Sequence, residues 1–368
     1  MSEEEKKKKE KEETSQEILN KFKNYFPNDI GIYDKYTWKI INRNENRFVY
    51  EGTTKINNEF NYIVIKEKIL DSETFNETLK ELYFLIMLKN EKYFVNIIDI
   101  KFIVDDEKYK HLFMKFDGGY INLKQLYNYM YPSARRMKEI IYQISFGLYI
   151  LHFHKITHND IKPTNILIDE DYKIKIADFG SAIYGDIYNI NNISFSYTKA
   201  YAPPEFLNGN PFRDQKSDMW SLGVMIIELC LETQLFKNND SKEQILKSIL
   251  SLFDIYNDLD KETINNLINN DNDLYKFDTE RFRSNIKDSQ KNDDDLIDLI
   301  SHLFVLNPNK RYSAKEVLLS NYLKNYPGND ALVLSKMKTP MEYNLLTQEM
   351  DEDDFVKNLE NLINISLK

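Results

Sequence analysis

Between His158 and Asn165 the chain sets an aspartate, a lysine and an asparagine close together, in HNDIKPTN, and further on a second aspartate opens the triplet Asp178–Phe179–Gly180. Carboxylate and amide oxygens are the ligands that hard cations take. Taken singly, an Asp-x-Lys pair or an Asp–Phe–Gly triplet is a turn as often as a site, so the weight rests on their joint occurrence. The single cysteine, Cys230, excludes an internal disulfide and a cysteine-based zinc site.

Five segments follow one another in a fixed order: LHFHKITHNDIKPTNILI (151–168), KIADFGSA (175–182), AYAPPEF (200–206), SDMWSLG (217–223) and NPNKRYSA (307–314). Together they resemble the signature set of the eukaryotic protein kinases, over roughly residues 33–326. The resemblance implies ATP and Mg2+ as cofactors and transfer of the γ-phosphoryl group to a protein hydroxyl. It implies that Lys66 in IVIK holds the α and β phosphates and pairs with a helix glutamate. Glu81 is preferred, because Leu85 and Leu88 then face the core; Glu77 is the rival, with a charged residue at its i+4 position. It also implies that Asn165 and Asp178 are the metal ligands, that Asp160 orients the attacking hydroxyl and that Lys162 neutralises the transferring group. A lysine at that place is similar to serine/threonine rather than tyrosine kinases. Val49, Val64 and Leu167 would enclose the adenine, with Met114 as gatekeeper and Phe116 in the hinge. Thr198 would bond Asp160 and Lys162, Asp218 would accept backbone N–H groups of the catalytic loop, and Glu205 and Arg311 would form a buried ion pair. His158 and Phe179 would join Leu85 and Ile100 in an apolar column.

The chain departs from that family in three places. Counting back from Val49, the three glycines of the phosphate-covering loop fall on Asn42, Asn44 and Arg47. Glycine serves there because the backbone can reach φ > 0 and approach phosphate without a Cβ; asparagine is the next most tolerant residue, and the Arg47 guanidinium could itself contact phosphate. Asn159 stands where the family carries an arginine that receives an activation-loop phosphate, so switching through that pocket is not expected, although Ser194, Ser196 and Tyr197 lie nearby. PPE replaces APE at 203–205. The loss of the glycines keeps a second reading open, a pseudokinase acting as scaffold or allosteric partner.

The elements that must position these groups are legible in outline. FVYEGT (48–53), NYIVIKEKI (61–69), VNIIDIKFIV (95–104) and KHLFMKF (110–116) read as strands, with KINNE as a turn. ETFNETLKELYFLIMLKN has helical spacing of Leu79, Leu82, Leu85 and Ile86. Beyond Gly118 and Gly119 the pattern turns helical, with RRMKEIIYQISFGLYILHFHK, the all-round apolar MWSLGVMIIELCLET, and further helices at 241–256, 295–306 and 313–324. This predicts an α+β, bilobal protein-kinase-like fold: a small antiparallel N-lobe sheet with one helix, then a larger helical C-lobe. The boundaries expected are 1–30 for a charged extension, 31–116 for the N-lobe, 117–326 for the C-lobe and 327–368 for an acidic tail.

Residues 1–17 are nearly all Glu and Lys and read as a solvated tail or frayed helix. Phe355, Leu359, Leu362 and Ile363 have helical spacing, and docking on the chain's own C-lobe is expected of them ahead of binding a partner. A weaker likeness of residues 233–253 and 296–318 to cyclin-dependent and MAP-type kinases suggests a regulatory protein partner. Net charge of −10 over 368 residues disfavours a nucleic-acid partner, no run is apolar enough for a membrane, and cytoplasmic or nuclear localisation is expected. Only 10 residues are glycine, so the nucleotide loop is where that scarcity bears on chemistry.

Overall fold

The computed structural model describes residues 13–72, 74–185, 188–189, 197–237, 239–255, 259–269, 276–286, 292–327 and 351–366. The chain divides into two compact units. The first contains the described residues up to Asn90, Val95–Gly119 and the helix at the C-terminal end; the second contains Glu91–Phe94 and the described residues from Tyr120 onward to Pro327.

The first unit is a five-stranded antiparallel sheet in the order β1-β2-β3-β5-β4: β1 Thr37–Asn44, β2 Arg47–Ile56, β3 Glu59–Leu70, β4 Ile97–Val104 and β5 Lys110–Asp117. The expected turn KINNE shrinks to two residues, because Asn57 and Asn58 both take positive φ and let the strands run on to Ile56 and from Glu59. Period-two alternation gives β3 two working faces. Ile63, Ile65 and Glu67 point one way; Lys66 and Lys68 point the other, toward helix α2 (Phe75–Met87).

Two helices from the predicted extensions complete this unit, which corrects the expected boundaries. Helix α1 (Ser15–Tyr25) opens on a capping box of Thr14 and Glu17 and buries Ile18 and Phe22. These two, with Phe26, join Trp38, Tyr50, Ile65 and Phe113 in one core over the outer sheet face. The charged tract therefore gives way to structure by residue 14, and residues 1–12 lie outside the described residues. The C-terminal helix (Glu352–Ser366) packs on α2 and β4, not on the C-lobe as expected. Phe355 stacks on Phe75 at 4.1 Å between ring centroids and meets Phe102 edge-on, and Leu359 is fully buried. The aromatic pocket at the start of α2 is what selects this docking.

In the second unit, helix α3 (Ala134–Phe153) and helix α4 (Lys216–Leu231) form the core, α4 buried on nearly every side as its composition predicted. A small sheet, β6 (Ile121–Asn122), β7 (Ile166–Ile168) and β8 (Ile174–Ile176), brackets the loop that holds the chemical groups. Helices at Lys261–Asn269 and Thr279–Asn285 were not anticipated, their apolar spacing being sparse. Among the described residues no helix is long and apolar enough to cross a membrane.

Candidate functional site

The site residues are distributed over both units, and each unit arranges its own share. In the second, the loop between His158 and Asn165 is pinned from beneath by Asp218, at the start of α4. Its carboxylate accepts the backbone N–H of His158 at 2.9 Å and of Asn159 at 2.8 Å, and meets His152 Nε2 at 2.9 Å. Charge-assisted bonds to a fully buried carboxylate fix the loop's backbone firmly. Asp160 is then held through both oxygens. Thr198 Oγ1 donates to Oδ1 at 2.8 Å, while Lys162 Nζ at 2.6 Å and Asn165 Nδ2 at 3.0 Å donate to Oδ2. Lys162 also donates to Thr198 Oγ1 at 2.7 Å, closing a triangle. A carboxylate restrained so completely keeps one rotamer and one orientation, as a group that must aim a hydroxyl requires.

Asp178 sits in the left-handed region at φ 66°, unusual for a residue with a side chain and of the kind that clusters at functional sites. Its position is referred to Asn165 by the bond from Ala177 N–H to Asn165 O at 2.9 Å, and to His158 by that ring's contact with Ala177 O at 3.1 Å. His158 packs on Phe179 at 5.1 Å between centroids. Asn159 also takes positive φ, 62°, and its amide donates to Ser181 O at 3.3 Å while accepting from Ser217 Oγ at 3.1 Å. Where the family has a phosphate-receiving arginine, this chain has a neutral clasp between the loop, the segment after Asp178 and α4.

Glu205 and Arg311 form a bidentate pair at 2.8 and 2.7 Å, both buried. Truncating either leaves an unpaired buried charge, which costs about 3–5 kcal/mol. Leu167 lies on β7 in this unit, paired with Asn122 and Lys175. A cavity of about 400 Å³ elsewhere in the unit is lined by apolar residues including Ile227, Leu252 and Phe277, and no group of the site reaches it.

In the first unit Lys66 Nζ lies 2.6 Å from Glu81 Oε1, so the preferred glutamate is the one that pairs. Glu77, the rival, instead holds Arg47 at 2.5 Å. Thus the guanidinium that sequence reasoning offered to phosphate is engaged by helix α2. No residue from Asn42 to Arg47 adopts positive φ. A two-residue turn, Glu45–Asn46, closes the hairpin, Asn44 pairing with Arg47 and Asn42 with Val49. Asn46 O also accepts the N–H of Ile69 at 2.8 Å. The asparagines are not used for left-handed backbone here: both lie in the extended backbone of β1, paired across the hairpin.

Val49 pairs with Lys66 and Val64 with Phe116, side by side in the sheet, and Met114 is fully buried opposite Lys66. Phe116 lies one residue from the end of β5, paired with Val64 and Ile97, where the strand expected over 110–116 closes. The chain leaves the strand at Gly118, where a Cβ would come within 2.7 Å of Tyr62, and at Gly119, with φ +86°. Lys68 was missed altogether. It is as close to Glu81 as Lys66 is, 2.5 Å to Oε2, and the alternation along β3 could have revealed it. Ser194 and Ser196 lie outside the described residues.

The groups present suit a magnesium-bound nucleotide: a carboxylate and an amide as oxygen donors, and lysines for phosphate. Among the described residues no three Asp, Glu, His or Cys side chains converge on one point.

Comparison with known proteins identifies the family. The protein kinase domain family matches residues 48–323. Among curated proteins the chain is 28% identical over 267 residues to CTD kinase subunit alpha of Saccharomyces cerevisiae, covering 67% of this chain and 47% of that one. It is 30% identical over 221 residues to cyclin-dependent kinase 7 of Caenorhabditis elegans, covering 59% and 64%. It is 33% identical over 190 residues to mitogen-activated protein kinase HOG1 of Gibberella zeae, covering 50% and 51%. The chain thus spans about half to two thirds of the length of these relatives. With the family matched over most of its residues, and an α+β fold of sheet unit and helical unit to go with it, the chain belongs to the protein kinase family.

Proposed function

We propose that the protein is a serine/threonine kinase, using ATP and Mg2+ to phosphorylate protein hydroxyls. The observation that carries this is the triangle of Asp160, Lys162 and Thr198. Asp160 is aimed to accept a hydroxyl proton, and Lys162 stands beside it to neutralise the group in transfer. When bound, ATP supplies the phosphoryl group and Mg2+ screens the charge of its phosphates. Asn165 and Asp178 would hold the metal, Asn165 through the oxygen of an amide whose nitrogen Asp160 already engages. Lys66, presented by Glu81, would hold phosphate, and Val49, Val64, Met114, Phe116 and Leu167 would border the base. Lys162 is the residue type that supports serine/threonine over tyrosine specificity.

The names of two relatives speak of a subunit and of dependence on a cyclin. On that basis the reading includes a regulatory protein partner, with a protein as substrate.

Closure of the glycine-less hairpin, with Arg47 held by Glu77, favours a second reading, a pseudokinase that acts as scaffold. Incubation with MgATP and a generic protein substrate separates the two. Incorporation of phosphate that Asp178→Asn abolishes supports the enzyme; equal labelling by both proteins counts against it. Calorimetry is expected to show weakened nucleotide affinity, and no MgATP binding at millimolar concentration favours the scaffold.

A further inference from the structure

The first unit holds a line of alternating charge that the family's lysine–glutamate pair does not require. It starts at the hairpin, where Arg47 Nη2 meets Glu77 Oε1 at 2.5 Å. The same Glu77 oxygen lies 3.8 Å from Lys68 Nζ. Lys68 Nζ meets Glu81 Oε2 at 2.5 Å, and Glu81 Oε1 meets Lys66 Nζ at 2.6 Å. Three cations and two carboxylates thus run unbroken from the hairpin to the strand lysine.

The two carboxylates are at positions i and i+4 of helix α2, where like charges repel. Lys68 stands between them, its side chain only 3% exposed. Burial pulls its ammonium down from the usual value, Glu81 opposes that, and Lys66 and Arg47 add to it. A lysine that deep in the protein is costly to keep charged unless it is paired. The contact to Glu81 is an ion pair more than an aligned hydrogen bond, since the buried Nζ has no hydrogen-bond partner of good geometry. Its position is therefore set by charge rather than by bond direction. Arg47 and Glu77 differ, with side chains 36% and 35% exposed, so their pairing is screened and readily exchanged.

We propose that Lys68 is a positioning residue for the phosphate site: by sharing Glu81 with Lys66 and neutralising Glu77 beside it, it leaves Lys66 with positive charge to spend on a nucleotide phosphate. The proposal rests on the reading that this unit binds nucleotide, and it deepens that reading by naming what stands in for the loop glycines. Where the family offers backbone N–H groups to phosphate, this chain brings a second buried cation to the same glutamate. Without Lys68, Glu81 directs its full charge at Lys66, and Glu77 adds its own.

The test reads Lys66 directly in the nucleotide-free full-length protein. Its rate of modification by an amine-directed acylating reagent is measured by peptide mass spectrometry. A neighbouring cation lowers an amine's pKa, and one unit is a factor of about ten in free amine. Lys68→Met is expected to slow acylation of Lys66 severalfold, Glu77→Gln to speed it, and the double variant to return toward the wild-type rate. Lys68→Arg, which keeps the charge, is expected to stay close to wild type and serves if Lys68→Met fails to fold. In the kinase assay Lys68→Met is expected to lose about tenfold in kcat/KM for ATP, with Glu77→Gln restoring part of it in the double variant. Equal acylation of Lys66 in wild type and Lys68→Met, or slowing that Glu77→Gln leaves unrelieved, overturns the proposal. A wild-type protein that transfers no phosphate refutes the kinase reading instead, while the acylation rates still decide the role of Lys68.

Discussion

At the scale of single residues, Asn159 decides how the second unit is held together. A family arginine in its place would wait for a phosphate; the amide of Asn159 already joins Ser181, Ser217 and the catalytic loop with neutral hydrogen bonds. Activity is therefore expected to survive phosphatase treatment unchanged, and a large loss would show that a phosphate completes the site. On the outer face of the sheet His111 carries a pH dependence of its own. Burial lowers its pKa, but hydrogen bonds to Glu67 at 2.8 Å and Asp105 at 3.1 Å outweigh that and leave it above its ordinary 6.5. Glu67 is shifted the other way: burial raises it, while His111, Lys21 and Tyr50 together hold it below 4.5. The stability contributed by His111 is complete below pH 6.5 and is lost as pH rises through its raised folded value. That of Glu67 is complete above pH 4.5 and is lost only as pH falls through its lowered value. The melting temperature should therefore decline as pH rises from about 6 to 9, and His111→Gln, which cannot titrate, should flatten that decline. An equally steep decline in the variant would place the titrating group elsewhere.

At the scale of elements, the two terminal helices show what a sequence conceals. The capping box at Thr14 and the Ile18–Phe22 spacing are plain once α1 is isolated, yet a charged tract next to it masks both. The spacing of Phe355 and Leu359 did announce a helix. An amphipathic face carries no address, however, and only the folded unit shows that Phe75 and Phe102 receive it. By contrast, Asp160, Lys162 and Asn165 were legible because a single short loop carries all three, and Glu81 because helical spacing separates it from Glu77. The burial of Lys68 was not legible because a strand lysine ordinarily faces solvent, whereas this one is buried against Glu81. The end of β5 was legible to within one residue, because Gly118 and Gly119 mark where KHLFMKF must stop. Substituting Phe355→Ala should cost about 3–5 kcal/mol, as for other buried phenylalanines, and differential scanning calorimetry should show the loss. A change below about 1 kcal/mol would mean that the helix contributes little to α2.

At the scale of the whole molecule, the two units hold one tryptophan each, Trp38 and Trp220, both buried. The second unit is nearly continuous in sequence, whereas the first gathers α1, the sheet and a helix that follows the whole second unit. Pairing Phe75 with Phe355 closes a loop spanning most of the chain, and non-local contacts of that kind form slowly. With Trp220→Phe and Trp38→Phe variants, refolding can be followed one unit at a time by fluorescence. The Trp220 signal should recover first and the Trp38 signal should lag, and simultaneous recovery would show that α1 and the sheet settle without the last helix. The consequence reaches to synthesis on the ribosome. The sheet emerges first, but the apolar groove beside α2 stays uncovered until Phe355 has left the exit tunnel. For that interval the sheet unit, made before the second unit, is the less protected of the two, and it is the one for which a chaperone matters more.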